Sequence, residues 1–384
     1  MRAERFPLGA GVTIAGLEAD PHALLALLRA SEPVSWLPAI DGWLVTRRDL
    51  ALAAMRDAEA FTVDDPRFTT AQVVGQSMLS LDGAAHDRHR APFVAGLRLG
   101  EVRRRMAAAV AEEAERLAAE LAPRGEGELR RGFAGPLAAA AVTRALGLDG
   151  TATGAVLGWY DAIVAAVTDL SAGRPAGAAA ARAVEELGEA VRPSLQAGRG
   201  LGGTGLSDAE VTSNAAVLLF GGIETTEGMI ANVVVHLLEH PDALAAVRAD
   251  PGLLPAAVEE SLRLEPAAAV VDRYATRDTE VGGAAIAAGE LVRISITAAN
   301  RDPDTFTDPD RFDLARVNAG RHLAFAAGPH VCVGVHLARL EAHVALATLL
   351  ERLPGLRLDP EHPPAIRGLV FRKPGELRVR WDAA

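Results

Sequence analysis

The sequence predicts a mainly α fold with a small β region, and three observations carry that prediction. Ser207 and Glu210 form a Ser-x-x-Glu capping box, and a helical pattern then runs without a breaker to His240, just before Pro241. The stretch from His86 to Gly147 is rich in Ala, Leu and Arg at helical spacing. Strand-like pieces are short, around Gly42 to Thr46 and Thr279 to Ile296.

In chain order, Pro21 to Ala30 reads as helix and precedes the first strand-like piece. The helical half is broken near Pro123 to Gly127, and Leu170 to Gly177 and Gly198 to Gly205 read as surface connections. At ~1.5 Å per residue, the rod that follows the capping box spans about 50 Å, enough to cross a whole domain. A rod that apolar belongs at the centre. Beyond it come a short helix, Pro255 to Leu264, and a polar loop, Asn300 to Asp313, holding Pro303 and Pro309. The last long helix starts near Gly334 and stops before Pro354 and Gly355. No long polar linker interrupts this order, so a single domain over residues 1–384 is expected.

The chain has 384 residues, 49% of them apolar, with 39 Lys plus Arg against 50 Asp plus Glu, a formal charge of -11. Without a long basic run, that acidic balance argues against nucleic acid, whose capture depends on neutralising phosphates. Cys332 is the only cysteine, which excludes an intrachain disulfide and any multi-cysteine zinc or iron–sulfur site. Arg2 and Arg5 precede a weakly apolar stretch, but Pro7, three glycines and Thr13 interrupt it, so a signal peptide is not expected. No uncharged apolar run reaches the ~18 to 20 residues of a membrane span. A cytoplasmic protein is the expectation. Nearly all basic charge is Arg, and Lys373 is the sole lysine.

Cys332 sits in the run Phe325-Ala-Ala-Gly328-Pro-His330-Val-Cys332-Val-Gly334, immediately before an amphipathic helix. Amides and the positive end of that helix would favour a thiolate, the metal-binding form. Glycines at 328 and 334 would let the backbone pass close to a flat ligand. This run resembles the haem-binding loop of the cytochrome P450 superfamily, Phe-Gly-x-Gly-x-His-x-Cys-x-Gly, with Ala326 in place of the first glycine. The resemblance extends from about Trp43 to the C-terminus. It implies the single triangular, mainly helical prism with haem b buried between the long central helix and the proximal cysteine loop, and Cys332 as axial ligand to iron.

Haem brings two propionates, and donors must meet them. In Asp82-Gly-Ala-Ala-His86-Asp-Arg-His-Arg90, His86 and Arg90 are four apart and share a helix face. The segment resembles the family's Asp-Pro-Pro-Glu-His-x-Arg-x-Arg. The resemblance adds Arg273 and His330 as further propionate donors and leaves Arg88 and His89 at the surface. It also matches Glu260-Ser-Leu-Arg263 to the family's Glu-x-x-Arg motif, with Arg311 joining both in a buried network; Glu259 with Arg263 would serve as an ordinary surface pair.

Mid-rod, Phe220-Gly-Gly-Ile-Glu224-Thr225-Thr226 places two glycines inside a helix, at a cost of about 1 kcal/mol each. In the family, a Gly-x-acid-Thr stretch lies over the distal face of haem, where the helix widens; Glu224 and Thr225 fit the acid and alcohol of a proton relay. In the plain alternative, Thr225 bonds back to the preceding turn and Glu224 is solvated. The run Gly200-x-Gly-x-x-Gly205 imitates a dinucleotide fingerprint but lacks a preceding strand.

The activity so implied is haem-dependent monooxygenation of a hydrophobic small molecule with O2. The chain carries no flavin or ferredoxin module, so a separate ferredoxin and reductase, drawing on NAD(P)H, would supply electrons to a monomer. Arg98, Arg103, Arg104, Arg105 and Arg339 are candidates for the docking patch. Family positions facing substrate would include Met78, Leu79, the Trp159–Tyr160 segment, Phe220, Ile223, Ala268 to Val270 and Leu369 to Phe371, with Leu170 to Gly177 in a lid. A peroxide-driven enzyme and a non-catalytic haem sensor or carrier are the alternatives; a sensor would need the thiolate loop but not Glu224 and Thr225.

Overall fold

The Ser207 capping box forms as the sequence predicts: the Ser207 hydroxyl accepts from the Glu210 amide, and the Glu210 carboxylate accepts from the Ser207 amide. From it springs the helix Asp208–Glu239, buried on every side along most of its length. The computed structural model describes residues 2–148, 150–171, 174–196 and 205–383. Residues 198–204 of the expected Gly198–Gly205 connection, which holds the Gly200–Gly205 run, fall outside these; the last described element before it is the helix Ala178–Gln196.

Helices Gly135–Ala145, Ala178–Gln196, Leu254–Leu264 and Val335–Arg352 all pack on the central helix, and Leu99–Leu121 packs on Val335–Arg352. The buried faces of all of these but Ala178–Gln196 join one large apolar cluster around Val233, Leu237, Phe133 and Leu346. A second cluster lies along the other half of the central helix, around Val211, Leu219, Phe220 and Ile223. The central helix alone, among the described helices, is long and apolar enough to cross a membrane, and 78% of that apolar window is buried inside the protein.

The β region is a five-stranded sheet in the spatial order Val34–Leu37, Gly42–Val45, Leu291–Ser295, Val270–Ala275, Phe61–Thr62. Gly42–Val45 and Leu291–Ser295 run parallel, and the other pairs are antiparallel. The Val270–Ala275 strand, which the sequence reading did not assign, carries Arg273. Trp43 anchors the sheet, with Phe6 and Trp36 edge-on at ring-centroid distances of 5.1 and 5.4 Å. Asn300 to Asp313 is the non-repetitive loop expected from its prolines once the turn Ile296–Ala299 has ended.

Candidate functional site

The cysteine loop is closed by its own backbone: the Cys332 amide donates to the Phe325 carbonyl at 2.9 Å. Gly328 has φ +73°, and a Cβ there would lie 2.4 Å from the Met55 carbonyl oxygen, so only glycine fits. Ala326 also has a positive φ, 57°. A left-handed alanine costs ~1–2 kcal/mol, partly offset because alanine restricts the unfolded chain by about 0.4–1 kcal/mol relative to glycine. Ala326→Gly is therefore expected to stabilise the fold slightly, by about 0.8 kcal/mol on those figures, and so to raise the denaturation midpoint. A lowered midpoint in a urea titration would contradict this.

The Cys332 sulfur is solvent-accessible yet set deep in the molecule, as befits a side chain on the wall of an internal cleft. Burial pushes its thiol pKa up, against the Gly334 amide and the charges of Arg90 and Arg339. The loop amides that the sequence suggested would favour thiolate are present, but desolvation outweighs them.

Around the cleft the structure gathers three elements. His86 and Arg90 share the helix Gly83–Val94, with His86 buried and Arg90 donating to the Val331 carbonyl at 2.6 Å. The His86 and His330 rings lie 4.5 Å apart, and His330 Nε2 donates to Asp82 Oδ1 at 2.8 Å. Burial alone would raise the Asp82 pKa, but His330, the Thr62 hydroxyl and the Val63 amide hold it well below the usual range. His86 Nε2 is buried with no hydrogen-bond partner. Arg273 is buried, and its Nη1 donates to the neighbouring Asp272 carbonyl at 2.8 Å. A buried guanidinium, two adjacent imidazoles and an orphaned ring nitrogen suit a doubly acidic ligand in a cradle that ends at a sulfur. The residues present thus fit haem.

His89 departs from its surface assignment. It is buried, with Nδ1 accepting from Asn214 Nδ2 at 2.9 Å and Nε2 3.3 Å from Glu210. His89 lies one turn on from His86, at i+3, and meets the first turns of the central helix, where Arg88 also pairs with Glu210.

The central helix stays α-helical through Gly221 and Gly222, so the widening the resemblance implies does not appear as a break in its hydrogen-bonding type. Space is nevertheless present: a Cβ on Gly221 would meet no atom within 4 Å, whereas one on Gly222 would press the Val142 side chain at 3.2 Å. Thr225 Oγ1 donates to the Gly221 carbonyl at 2.6 Å, the back-bonded geometry. Glu224 is not solvated. It is buried and held by the Tyr160 hydroxyl and by Lys373 Nζ at 2.8 Å. Glu224 and Thr225 thus engage separate partners. Burial, followed by the charge of Glu224, drives the Tyr160 pKa far above the usual phenol value, so Tyr160 acts as donor. Sequence reasoning missed Tyr160 and Lys373 as polar partners; the only signal was that the chain has a single lysine.

Met78, Trp159, Tyr160, Phe220 and Ile223 lie in one apolar cluster, with Leu79 and Phe371 packed on it. Phe220 and Phe371 meet edge-to-face at 5.5 Å, and Ala268 bridges to Phe371. Leu369 belongs elsewhere, packed with the N-terminal cluster around Leu17 and Leu25.

Behind the cysteine loop, Arg263 and Glu260 are both fully buried and paired at 2.8 Å. The second cation on Glu260 is Arg316, at 2.8 Å, not Arg311. Arg311 is exposed and contributes only its carbonyl to Arg263. Glu259 pairs with Arg339 at 2.6 Å and lies 3.3 Å from His322, instead of serving as a surface partner for Arg263. Arg339 is thereby withdrawn from the basic patch, whereas Arg98, Arg103, Arg104 and Arg105 are exposed.

The chain matches the cytochrome P450 family model over residues 194–376. It is 37% identical to nocardicin C N-oxygenase of Nocardia uniformis subsp. tsuyamanensis, across 98% of both chains. It is 35% identical to the cytochrome P450 monooxygenase PikC of Streptomyces venezuelae, across 94% of this chain and 91% of that one. Among solved structures, P450BioI in complex with acyl carrier protein ligated to hexadec-9Z-enoic acid superposes with a TM-score of 0.85. Identity there is 29%, covering 94% of this chain and 98% of the other. Myxobacterial CYP267B1 with myristic acid gives a TM-score of 0.84 at 30% identity, over 97% and 98%. With the thiolate loop, the cleft and the fold in agreement, the chain belongs to the cytochrome P450 family and is a haem-dependent monooxygenase.

Proposed function

We propose that the whole chain acts as one monomeric haem domain that oxidises a hydrophobic small-molecule metabolite with O2 in the bacterial cytoplasm. Its electrons would come from a separate ferredoxin and reductase drawing on NAD(P)H. The observation that carries the reading is the accessible Cys332 in a loop whose His330 and Val331 meet His86 and Arg90, with Arg273 and His86 Nε2 left as underused donors. Cys332 would ligate the iron of haem b, and His86, Arg90, Arg273 and His330 would meet the propionates. Bound haem supplies oxygen activation and the oxidising power.

The chain's own residues do the rest. The apolar wall of Phe220, Ile223, Met78 and Phe371 holds an apolar substrate and excludes water. The Thr225 hydroxyl orients water in the space left by Gly221, and Glu224 provides the protons. Relatives and solved neighbours whose names specify nocardicin C or fatty-acid ligands support an organic metabolite as substrate. The exposed arginines 98, 103, 104 and 105 offer an electron-transfer partner a basic surface, and raised salt is expected to slow reduction there. Glu224, buried and bonded at both oxygens, favours catalysis over a sensor, which has no use for it.

The test uses holoenzyme, a surrogate ferredoxin with its reductase, NAD(P)H and O2, with no organic substrate. Hydrogen peroxide released per NAD(P)H consumed reports failed proton delivery. Thr225→Ala is expected to keep its haem and raise that yield several-fold; an unchanged yield refutes the relay.

A further inference from the structure

Lys373 lies on the strand Lys373–Pro374, hydrogen-bonded to Ile366–Arg367, and reaches the side of the central helix. Its three N–H donors are all committed: to Glu224 Oε1 at 2.8 Å, to Glu227 Oε1 at 3.0 Å and to the Tyr160 oxygen at 3.3 Å. Glu224 and Glu227, three residues apart on one helix face, are both buried, so one ammonium group divides itself between two buried carboxylates. Two glycines make the room. A Cβ on Gly228 would stand 3.4 Å from the Lys373 stem, and one on Gly135 would strike Glu227 Oε2 at 2.6 Å.

The sharing is unequal. Glu227 already holds Arg130 at 2.6 Å, with Arg131 at 3.6 Å, whereas Lys373 is the only cation on Glu224 among the described residues. Glu227 Oε2, which accepts no hydrogen bond, has acceptor capacity to spare. Tyr160 and Asp161 face the cluster from the helix Thr153–Ser171, with Arg131 bonded to Asp161 and lying 5.4 Å over the Tyr160 ring. The neighbouring Arg372 is taken by Glu265. These groups make up the described charge environment of Glu224.

We propose that Lys373 is a positioning residue for the monooxygenase reaction: shared between Glu224 and Glu227, it passes wholly to Glu227 when Glu224 turns to serve Thr225. This rests on the function proposed above. Glu224 takes one proton from water, leaves the lysine as the neutral acid, gives that proton up beside Thr225 and returns as the anion. The cluster ends with the charge it began with. Passing to Glu227 keeps Lys373 paired throughout, which a lysine bound to Glu224 alone could not manage without leaving a buried charge bare.

The test reads peroxide yield per NAD(P)H in the holoenzyme assay above, with O2 present and no organic substrate. Glu227→Gln removes the carboxylate that would receive the lysine, so Glu224 stays bound and the yield rises several-fold. In a Lys373→Met background the same substitution changes nothing, because no lysine is left to hand over, whereas in Lys373→Arg, which keeps the cation, it raises the yield again. A Glu227→Gln yield equal to wild type, or an equal rise with and without the cation, overturns the inference. Should Lys373→Met fail to take up haem, Glu227→Gln decides alone: a raised yield supports the inference and an unmoved one overturns it. Failure of the underlying reading looks different, because Thr225→Ala would then also leave the yield unchanged.

Discussion

Cys332→Ser is expected to abolish the red-shifted absorption band that reduced, carbon monoxide-treated thiolate haem displays, together with all NAD(P)H-dependent oxygen turnover. The chain has no second thiol to substitute. An alcohol cannot replace the thiolate, because its donation to iron is far weaker and the push that favours O–O cleavage is lost. The fold should survive. Serine is nearly isosteric, the loop is closed by the backbone bond from the residue 332 amide to the Phe325 carbonyl, and the side chain faces the cleft rather than the core. Far-ultraviolet circular dichroism unchanged from wild type, with the band gone, is the expected pair of results. Retention of the band would sink the ligand assignment. Without iron, desolvation holds Cys332 as the thiol, so haem uptake should release its proton.

The sequence made legible what depends on short spacing. The capping box, the 328–334 glycine frame and the His86–Arg90 pair each lie within one loop or one helix turn, and local geometry decides them. What it hid depends on distant segments meeting. His89 reads as a surface residue on its own helix and becomes buried only because Asn214 and Glu210, at the start of the central helix, close over it. Arg316 displaces Arg311 because the chain docks its Asp313 amide on Glu260 and so brings the arginine that follows back to that carboxylate. Lys373 meets Glu224 only once the C-terminal strand pair has formed beside the central helix. The parallel pairing of Gly42–Val45 with Leu291–Ser295, which frames the sheet, is likewise invisible to any local window.

Glu260→Ala is expected to cost about 3–5 kcal/mol, the penalty for leaving a buried charge without its partner. Arg263 is the reason. All five of its N–H donors are used: two on Glu260, the others on the carbonyls of Asn300, Pro309 and Arg311. Glu260 in turn accepts from the Asp313 amide at 3.0 Å and from Arg316. Arg316 adds bonds to the Thr307 and Asp308 carbonyls, so a single carboxylate fixes two guanidinium groups that together hold the loop from residue 300 to 316. That loop leads into the cysteine segment, where Asn300 Oδ1 accepts from the Leu323 amide at 2.7 Å. At ~2.1 cal/mol/K per residue, the loss corresponds to a fall of about 4–6 °C in melting temperature. Haem content should fall with it, since the loop that presents Cys332 loses its backing. Glu260→Asp, a carboxylate one methylene too short to meet both Arg263 nitrogens and Arg316 at once, should fall between the two. The pair is thus a structural support acting through the loop. If Glu260→Ala were to melt with wild type and carry a full complement of haem, the loop would have to be held by Arg263 and its carbonyls alone, and the neighbouring Glu259–Arg339 pair would become the support to examine.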